Sequence, residues 1–520
     1  MFLRKNLILE NLRDETISET APGTFNWASY YGNHMVLQQG PHRAVLWGYG
    51  EVGATVNVSF TSGGFYSTKV YKGNGGQGVW KVSLDPMPPG GPHQIHGVHD
   101  VKGTLQQISL DDVMFGDVWV CSGQSNMEFT VGQAFHAPTV IAEAANFPDI
   151  RLFTVERMLS DKPLYDLDKI LQPWAVASPG GVGGADWQYF SAVCWFYGRD
   201  LYKHLGYPIG LVATTWSGTA IETWSSPQVL DSCDITQSYM EEFEDAELGD
   251  TPGEHSVLWN AMIHPLLNMT IMGAIWYQGE SNTPEPDSYS CSFPGMIDSW
   301  RKEWYTGTGG QTDRHFPFGF VQISTSTPGA MGRSYPAIRW HQTADYGYVP
   351  NPVMPNVFMA VAVDLVDPNS PFDSIHPRDK QDVGSRLVLG ARAVAYNEAN
   401  VIFQGPRSVS VDVDPEKNTV RRVYSKSVKI TVKSDDGFEV RKVCSMTSHE
   451  WVQVPIVFST SYSITLQLTQ DCWENVTYIR YLWKQWPCDF KECAVYSVEN
   501  DLPEAPFFGC MMELNKKPPC

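Results

Sequence analysis

The chain has 520 residues, enough for a large buried core and two or three domains, with 42% hydrophobic and 12% aromatic residues. Its 37 Lys and Arg stand against 57 Asp and Glu, a net charge of −20, which argues against nucleic acid or an anionic membrane surface as a partner. No stretch approaches the ~18 uninterrupted apolar residues that a membrane span requires, so no membrane insertion is expected.

Residues 1–25 are polar and acidic and end in Ala21-Pro22-Gly23, the composition of a disordered or processed segment. The apolar run that follows Met1 is far too short for a signal peptide. From 26 to 112 the chain reads as a small antiparallel β domain. Short alternating runs such as Thr55-Val56-Asn57-Val58-Ser59-Phe60 and Gly78-Val79-Trp80-Lys81-Val82 recur between glycine and proline turns. Met35-Val36-Leu37-Gln38 is expected where this domain meets the next.

From 113 to 405 near-continuous apolar strands alternate with helix-capable segments. The strands are Val118–Cys121, Ile209–Thr214, Met272–Tyr277, Phe318–Ile323 and Phe358–Val363, and the covering helices are Phe190–Leu205, Ser292–Trp304 and Gln381–Tyr396. Strands apolar on both faces suit a parallel sheet covered by helices, and the alternation predicts a doubly wound α/β domain. From 406 to 505 alternating runs return (Val428-Lys429-Ile430-Thr431-Val432, Ser463-Ile464-Thr465-Leu466) and predict a second β-rich module, with 506–520 as a tail. Six of the ten cysteines lie from Cys444 to Cys520, the pattern of a stapled region, and Cys488 and Cys493 are spaced to close a small loop. Asn57, Asn268 and Asn475 each open an Asn-X-Ser/Thr glycosylation pattern.

The chemistry gathers where strands of such a sheet end. Val118-Trp119-Val120-Cys121 is followed by Ser122-Gly123-Gln124-Ser125, a strand, a glycine turn and a hydroxyl, the arrangement that presents a nucleophile at a sheet's carboxyl edge. The plainer reading of Ser125 is a helix cap. His376, after the last strand and before a helix, is the base candidate. Asp373, earlier in the same loop, is placed to orient it as the third member of a triad, with Asp364 and Asp367 as rivals. For a developing oxyanion the backbone N–H of Ser125, the N–H of Gly218 and the side-chain amide of Gln278 are candidate donors, and Glu280 reads as a supporting partner of that loop. Trp216, Trp224, Trp259 and Trp276 are either sugar platforms or core, and Cys121 and Cys194 read as core or disulfide. No cluster has metal-ligand spacing and no glycine-rich loop has a phosphate-binding pattern, so neither metal nor cofactor is expected.

Gly123-Gln124-Ser125-Asn126-Met127, Trp276-Tyr277-Gln278-Gly279-Glu280-Ser281-Asn282 and Asp373-Ser374-Ile375-His376-Pro377 resemble the sequence blocks of the SGNH (GDSL-like) hydrolases, in the carbohydrate O-acetylesterase branch. Phe115-Gly116-Asp117-Val118-Trp119, Ile338-Arg339-Trp340-His341-Gln342 and His376-Pro377-Arg378-Asp379-Lys380-Gln381 extend the likeness to the family's sialate-specific members, from about Ala28 to about Pro506. The resemblance implies a flavodoxin-like domain flanked by β-rich modules. It also implies a serine esterase that removes acetyl groups from sialic acids, notably at the 9-position, in free sugars and sialoglycoconjugates. It implies a lysosomal or secreted glycoprotein, while the missing leader pattern leaves a cytosolic form open. Two rival functions carry weight at this stage: deacetylation of another sugar or polysaccharide, and a non-catalytic carbohydrate-binding glycoprotein.

Overall fold

A computed structural model describes residues 24–236 apart from 62 and 74, together with 252–445, 448–468 and 478–510. The segment 1–23, Asn475 and the tail from 511 lie outside the described residues.

Among the described residues the α/β sheet has seven strands: β1 (Thr104–Gly123), β2 (Ile150–Val155), β3 (Ile170–Val176), β4 (Ile209–Thr215), β5 (Gly273–Tyr277), β6 (Phe318–Gln322) and β7 (Val357–Val361). Their order is β3-β2-β4-β1-β5-β6-β7, parallel throughout except for β3 at the edge. The chain leaves β1 to one side, returns to place β4 beside it, and then crosses to β5 on the other side. This reversal opens a crevice at the carboxyl end of β1, where open α/β sheets bind ligands.

Both faces of the sheet are buried, as the apolar strands require. On one face Trp119 of β1 packs edge-on against Tyr197 of helix α2 (Ala192–Leu205), with ring centroids 5.2 Å apart. On the other face Trp276 of β5 meets Trp300 of α3 (Tyr289–Gly307) at 5.8 Å. The short α1 (Ser125–Glu128) follows β1, and α4 (Ser334–His341) follows β6. Helix α5 (Lys380–Val394) packs on α2 and on β7. Cys121 and Cys194 form a disulfide that straps β1 to α2, and Cys233–Cys291 and Cys488–Cys493 are also bonded.

β1 is one continuous strand of 20 residues. Its first half forms an antiparallel hairpin with Gly90–Val101 in the N-terminal β sheet, and its second half is the centre of the parallel sheet. The expected boundary between 112 and 113 therefore falls inside a strand. Asp112 sits there at φ +53, and its carboxylate accepts from Arg151 Nη1 at 2.7 Å. Val36–Gln38 pairs in parallel with Met114–Gly116, and the Gln38 amide bonds to Val118 N and Asp117 Oδ1. Among the described residues the C-terminal module forms two four-stranded antiparallel sheets and a two-stranded pair. Arg339, fully buried on α4, donates to the carbonyls of Ser324 (2.7 Å), Lys484 (2.9 Å) and Gln485 (2.9 Å), and so joins this module to the loop after β6. Among the described residues no helix is long and apolar enough to cross a membrane.

Candidate active site

β1 ends with Gly123 paired to Thr215 of β4 on one side and Tyr277 of β5 on the other. Gly123 has φ +142, and a Cβ there would lie 2.1 Å from the Tyr277 carbonyl oxygen. A side chain at this point would force the strands apart, so glycine is a geometric requirement. The chain turns immediately into α1, whose first residue is Ser125. The Gln124 side chain accepts from the N–H groups of Gly279 (3.3 Å) and Ser281 (3.2 Å), stitching this turn to the one after β5. Ser125, Gly218, Glu280 and His376 line one cleft, together with Gln124, Trp187, Ser217, Ser281 and Ile375.

His376 stands in the loop between β7 and α5. Its Nδ1 lies 2.6 Å from the carbonyl oxygen of Phe372. A carbonyl only accepts, so this contact assigns the ring proton to Nδ1 and leaves Nε2 with its lone pair, the form a general base needs. The loop closes on itself: His376 N donates to Asp373 O at 2.9 Å and Ser370 Oγ to His376 O at 2.7 Å. Asp373 is exposed and left-handed, at φ +68, and among the described residues no hydrogen bond joins its carboxylate to the imidazole. The two rival acids are engaged elsewhere. Asp364 takes Arg386 at 2.6 and 3.0 Å, and Asp367 takes Arg378 at 2.6 and 3.0 Å. Burial pushes the His376 imidazole below its ordinary value; the Phe372 carbonyl works against this, nearby Lys380 adds to it, and the Asp373 charge opposes it.

Gly218, at φ +73, lies in the turn after β4. That turn is held to α1, the helix that Ser125 opens, by Glu128, whose Oε2 accepts from both Ser217 N (2.5 Å) and Ser217 Oγ (2.8 Å). Arg157 Nη1 lies on the other carboxylate oxygen at 3.0 Å. Burial pushes the Glu128 carboxyl up, and the Ser217 bonds and Arg157 pull it back.

Gln278 does not reach the cleft. It is fully buried, its Nε2 donates to Thr219 O (3.1 Å) and Asn282 Oδ1 (2.8 Å), and its Oε1 accepts from Tyr289 OH (2.9 Å). With both amide hydrogens taken, it braces the residue after Gly218 from behind. Glu280 reaches the cleft wall, and its Oε1 accepts from Asn126 Nδ2 at 2.7 Å. The same Nδ2 donates to the Ile375 carbonyl at 3.0 Å, and Asn126 Oδ1 accepts from Lys380 Nζ at 2.6 Å.

Of the four tryptophans singled out, Trp224, Trp259 and Trp276 are core. The ring that does face the cleft is Trp187, half-buried and edge-on to His376 with centroids 5.1 Å apart. Trp187, Glu128 and Lys380 are functional candidates that sequence reasoning missed. Position was a signal for two of them: Glu128 lies three residues after Ser125, and Lys380 four after His376 in the block His376–Gln381. Of the glycosylation candidates, Asn57 lies partly exposed on the strand Thr55–Phe60, and Asn268 Oδ1 accepts from Lys81 Nζ at 2.8 Å.

Residues 115–376 match the family model described as carbohydrate esterase, sialic acid-specific acetylesterase. Residues 409–511 match the model for the sialate O-acetylesterase C-terminal domain. The sialate O-acetylesterase of Mus musculus is 43% identical over 520 residues, covering 95% of this chain and 96% of the mouse protein. The Homo sapiens enzyme of the same name is 43% identical over 488 residues, covering 93% and 92%. A solved carbohydrate acetylesterase from Xanthomonas citri superposes with a TM-score of 0.75 at 26% identity, over 93% of this chain and 99% of that one.

Proposed function

The chain belongs to the sialate O-acetylesterase family of carbohydrate esterases and is an esterase for O-acetylated sialic acids; from that premise we propose how its own residues carry out the reaction. Ser125 is the nucleophile. Its Oγ attacks the acetyl carbonyl carbon while His376 Nε2 takes the hydroxyl proton, and the carbonyl oxygen becomes an oxyanion. We assign the backbone N–H groups of Ser125 and Gly218, on two turns that Glu128 locks together, as the donors to that oxygen. As the tetrahedral intermediate collapses, the bond to the sugar oxygen breaks and His376 returns the proton to the departing sialate hydroxyl. Water, deprotonated by the same imidazole, then attacks the acetyl-serine; the bond to Ser125 Oγ breaks, His376 returns the proton to that oxygen, and acetate leaves.

The observation that supports this reading most directly is the cleft shared by Ser125, Gly218 and His376, with the histidine held in the base tautomer by the Phe372 carbonyl. The histidine works as half of a dyad, and Asp373 contributes charge without a hydrogen bond. Preference for the 9-position follows from chemistry. That hydroxyl is the primary one at the end of a flexible side chain, the acetyl group best able to enter a cleft whose nucleophile is 5% exposed. The paired cysteines fit an oxidising compartment, and we assign the enzyme to the lysosomal or secreted route. The test is acetate release from O-acetylated sialic acid by the wild type and by Ser125→Ala. The variant is expected to lose roughly 10⁶ in kcat, the loss seen when a serine protease loses its nucleophile, while its far-UV spectrum stays unchanged. A variant that kept a tenth of the activity would remove Ser125 from the mechanism.

A further inference from the structure

Behind the Ser125–His376 pair lies a cation that the reaction as written does not use. Lys380, the first residue of α5, is fully buried. Its ammonium sits 4.9 Å from the Phe129 ring centroid and 5.2 Å from that of Tyr277, and its hydrogen bond goes to Asn126 Oδ1 at 2.6 Å. The carboxylates that act on it are Glu280, Asp379 and Asp367. None of them makes a direct ion pair with it among the described residues. Burying an ammonium without an ion-pair partner is costly, and two aromatic faces and one amide oxygen offset only part of that cost. A buried methionine would pack there without it. The placement therefore calls for a role beyond packing.

The role is legible in the amide that it touches. Lysine only donates, so the Asn126 amide must present Oδ1 to Lys380 and Nδ2 to the opposite side. On that side Nδ2 meets Glu280 Oε1 at 2.7 Å and the Ile375 carbonyl at 3.0 Å. Asn126 adjoins the nucleophile and Ile375 adjoins the base. One amide thus spans the two catalytic loops, and its orientation is set by Lys380.

We propose that Lys380 is a positioning residue, whose buried ammonium fixes the Asn126 amide and through it the spacing between Ser125 and His376. This rests on the Ser125–His376 reading. The same positive charge acts on the imidazole and opposes its protonation, whereas the exposed Asp373 favours it. Burial lowers the Lys380 ammonium to about 7, so the charge is in place throughout the acidic range in which His376 must stay neutral.

The experiment is kcat/KM against pH for acetate release from 9-O-acetylated sialic acid by the wild type, Lys380→Met, Lys380→Gln and Ser125→Ala, each checked by circular dichroism and a thermal melt. Lys380→Met removes both the donor and the charge. Its kcat is expected to fall by about 10²-fold, the scale of a small misplacement of reacting groups. Its acid limb is expected to move to higher pH, because the imidazolium loses a neighbouring cation. Lys380→Gln keeps a donor for Asn126 Oδ1 and loses the charge. It is expected to recover most of the rate and to keep the displaced acid limb, so it carries the test if the methionine variant fails to fold. A wild-type acid limb in folded Lys380→Gln, or wild-type kcat in folded Lys380→Met, overturns the proposal and makes Lys380 a packing residue. Activity in Ser125→Ala would instead overturn the underlying mechanism.

Discussion

The proton on His376 Nδ1 has a backbone acceptor, and this changes what Asp373 is for. In a full triad the carboxylate accepts a hydrogen bond from the imidazole's Nδ1–H, fixes its tautomer and stabilises the cation, and replacing it with the amide costs about 10⁴ in kcat. Here the Phe372 carbonyl at 2.6 Å already fixes the tautomer, and Asp373 stands exposed in a left-handed turn. Asp373→Asn is therefore expected to keep kcat within about threefold of wild type, far from the ~10⁴ of a true triad. Its charge does reach the ring and raises the imidazole's proton affinity. Removing it lowers the pH at which His376 protonates, so the acid limb of kcat/KM moves to lower pH, opposite in sign to the shift expected for Lys380→Met. A pH–rate profile of the variant checks both parts. A loss approaching 10⁴ would restore Asp373 to the site as an orienting carboxylate, and an acid limb that stays in place would show that its charge does not act on the ring.

At the scale of elements, local pattern and tertiary pairing part company. β1, Gly123 and Ser125 are legible because strand, turn and helix start follow one another in the chain, and each imposes a residue type on its own few positions. Ile150–Val155 escaped notice because buried Arg151 and Thr154 interrupt its apolar run. Those polar groups are satisfied by Asp112 and Gln172, partners distant enough in sequence to leave no pattern. Trp187 reaches the cleft from a glycine-rich loop, and the Phe372 carbonyl has no side-chain signature at all. Gln278 was assigned to the oxyanion by its place after a strand, but its neighbours Thr219 and Asn282 take its hydrogens first. The cysteines of β1 and α2 show the same divide, since their burial was readable and their bond comes from the packing of the two elements. That bond closes a separation of 73 residues. On the chain-entropy account it stabilises the fold by about 4 kcal/mol. Cys121→Ala/Cys194→Ala is accordingly expected to lower the urea midpoint without changing the activity per folded molecule. An unchanged midpoint would show that the sheet and α2 hold together without the strap.

Across the whole molecule, the C-terminal module reaches the loop of His376, the proposed base, through a short chain of contacts. Gln485 Nε2 donates to Ser326 Oγ at 2.5 Å in the loop after β6. The backbone oxygen of Ser326 in turn accepts from Ser374 Oγ, two residues before His376. The same junction is fixed by Arg339, which lies fully buried and gives hydrogens to carbonyls on both sides. The module is thus a buttress for the loop that sets the base, although its sheets lie away from the cleft. Gln485→Ala removes one link and leaves Arg339 in place, so the fold should survive with its melting transition nearly unmoved. The Ser326–Ser374 contact loses a support and the histidine loop gains freedom. Small misplacements of a reacting group cost up to about 10²-fold, and a loosened loop that still samples the right geometry should lose less. A fall in kcat of about 3- to 10-fold, with KM little changed, is the expected outcome, because the loop carries the base that acts in the transition state. Steady-state kinetics on O-acetylated sialic acid, set beside the melting curve, separate this from simple destabilisation. A variant with unchanged kcat would confine the module to stability, and one altered in KM alone would make this loop a binding element for the sugar.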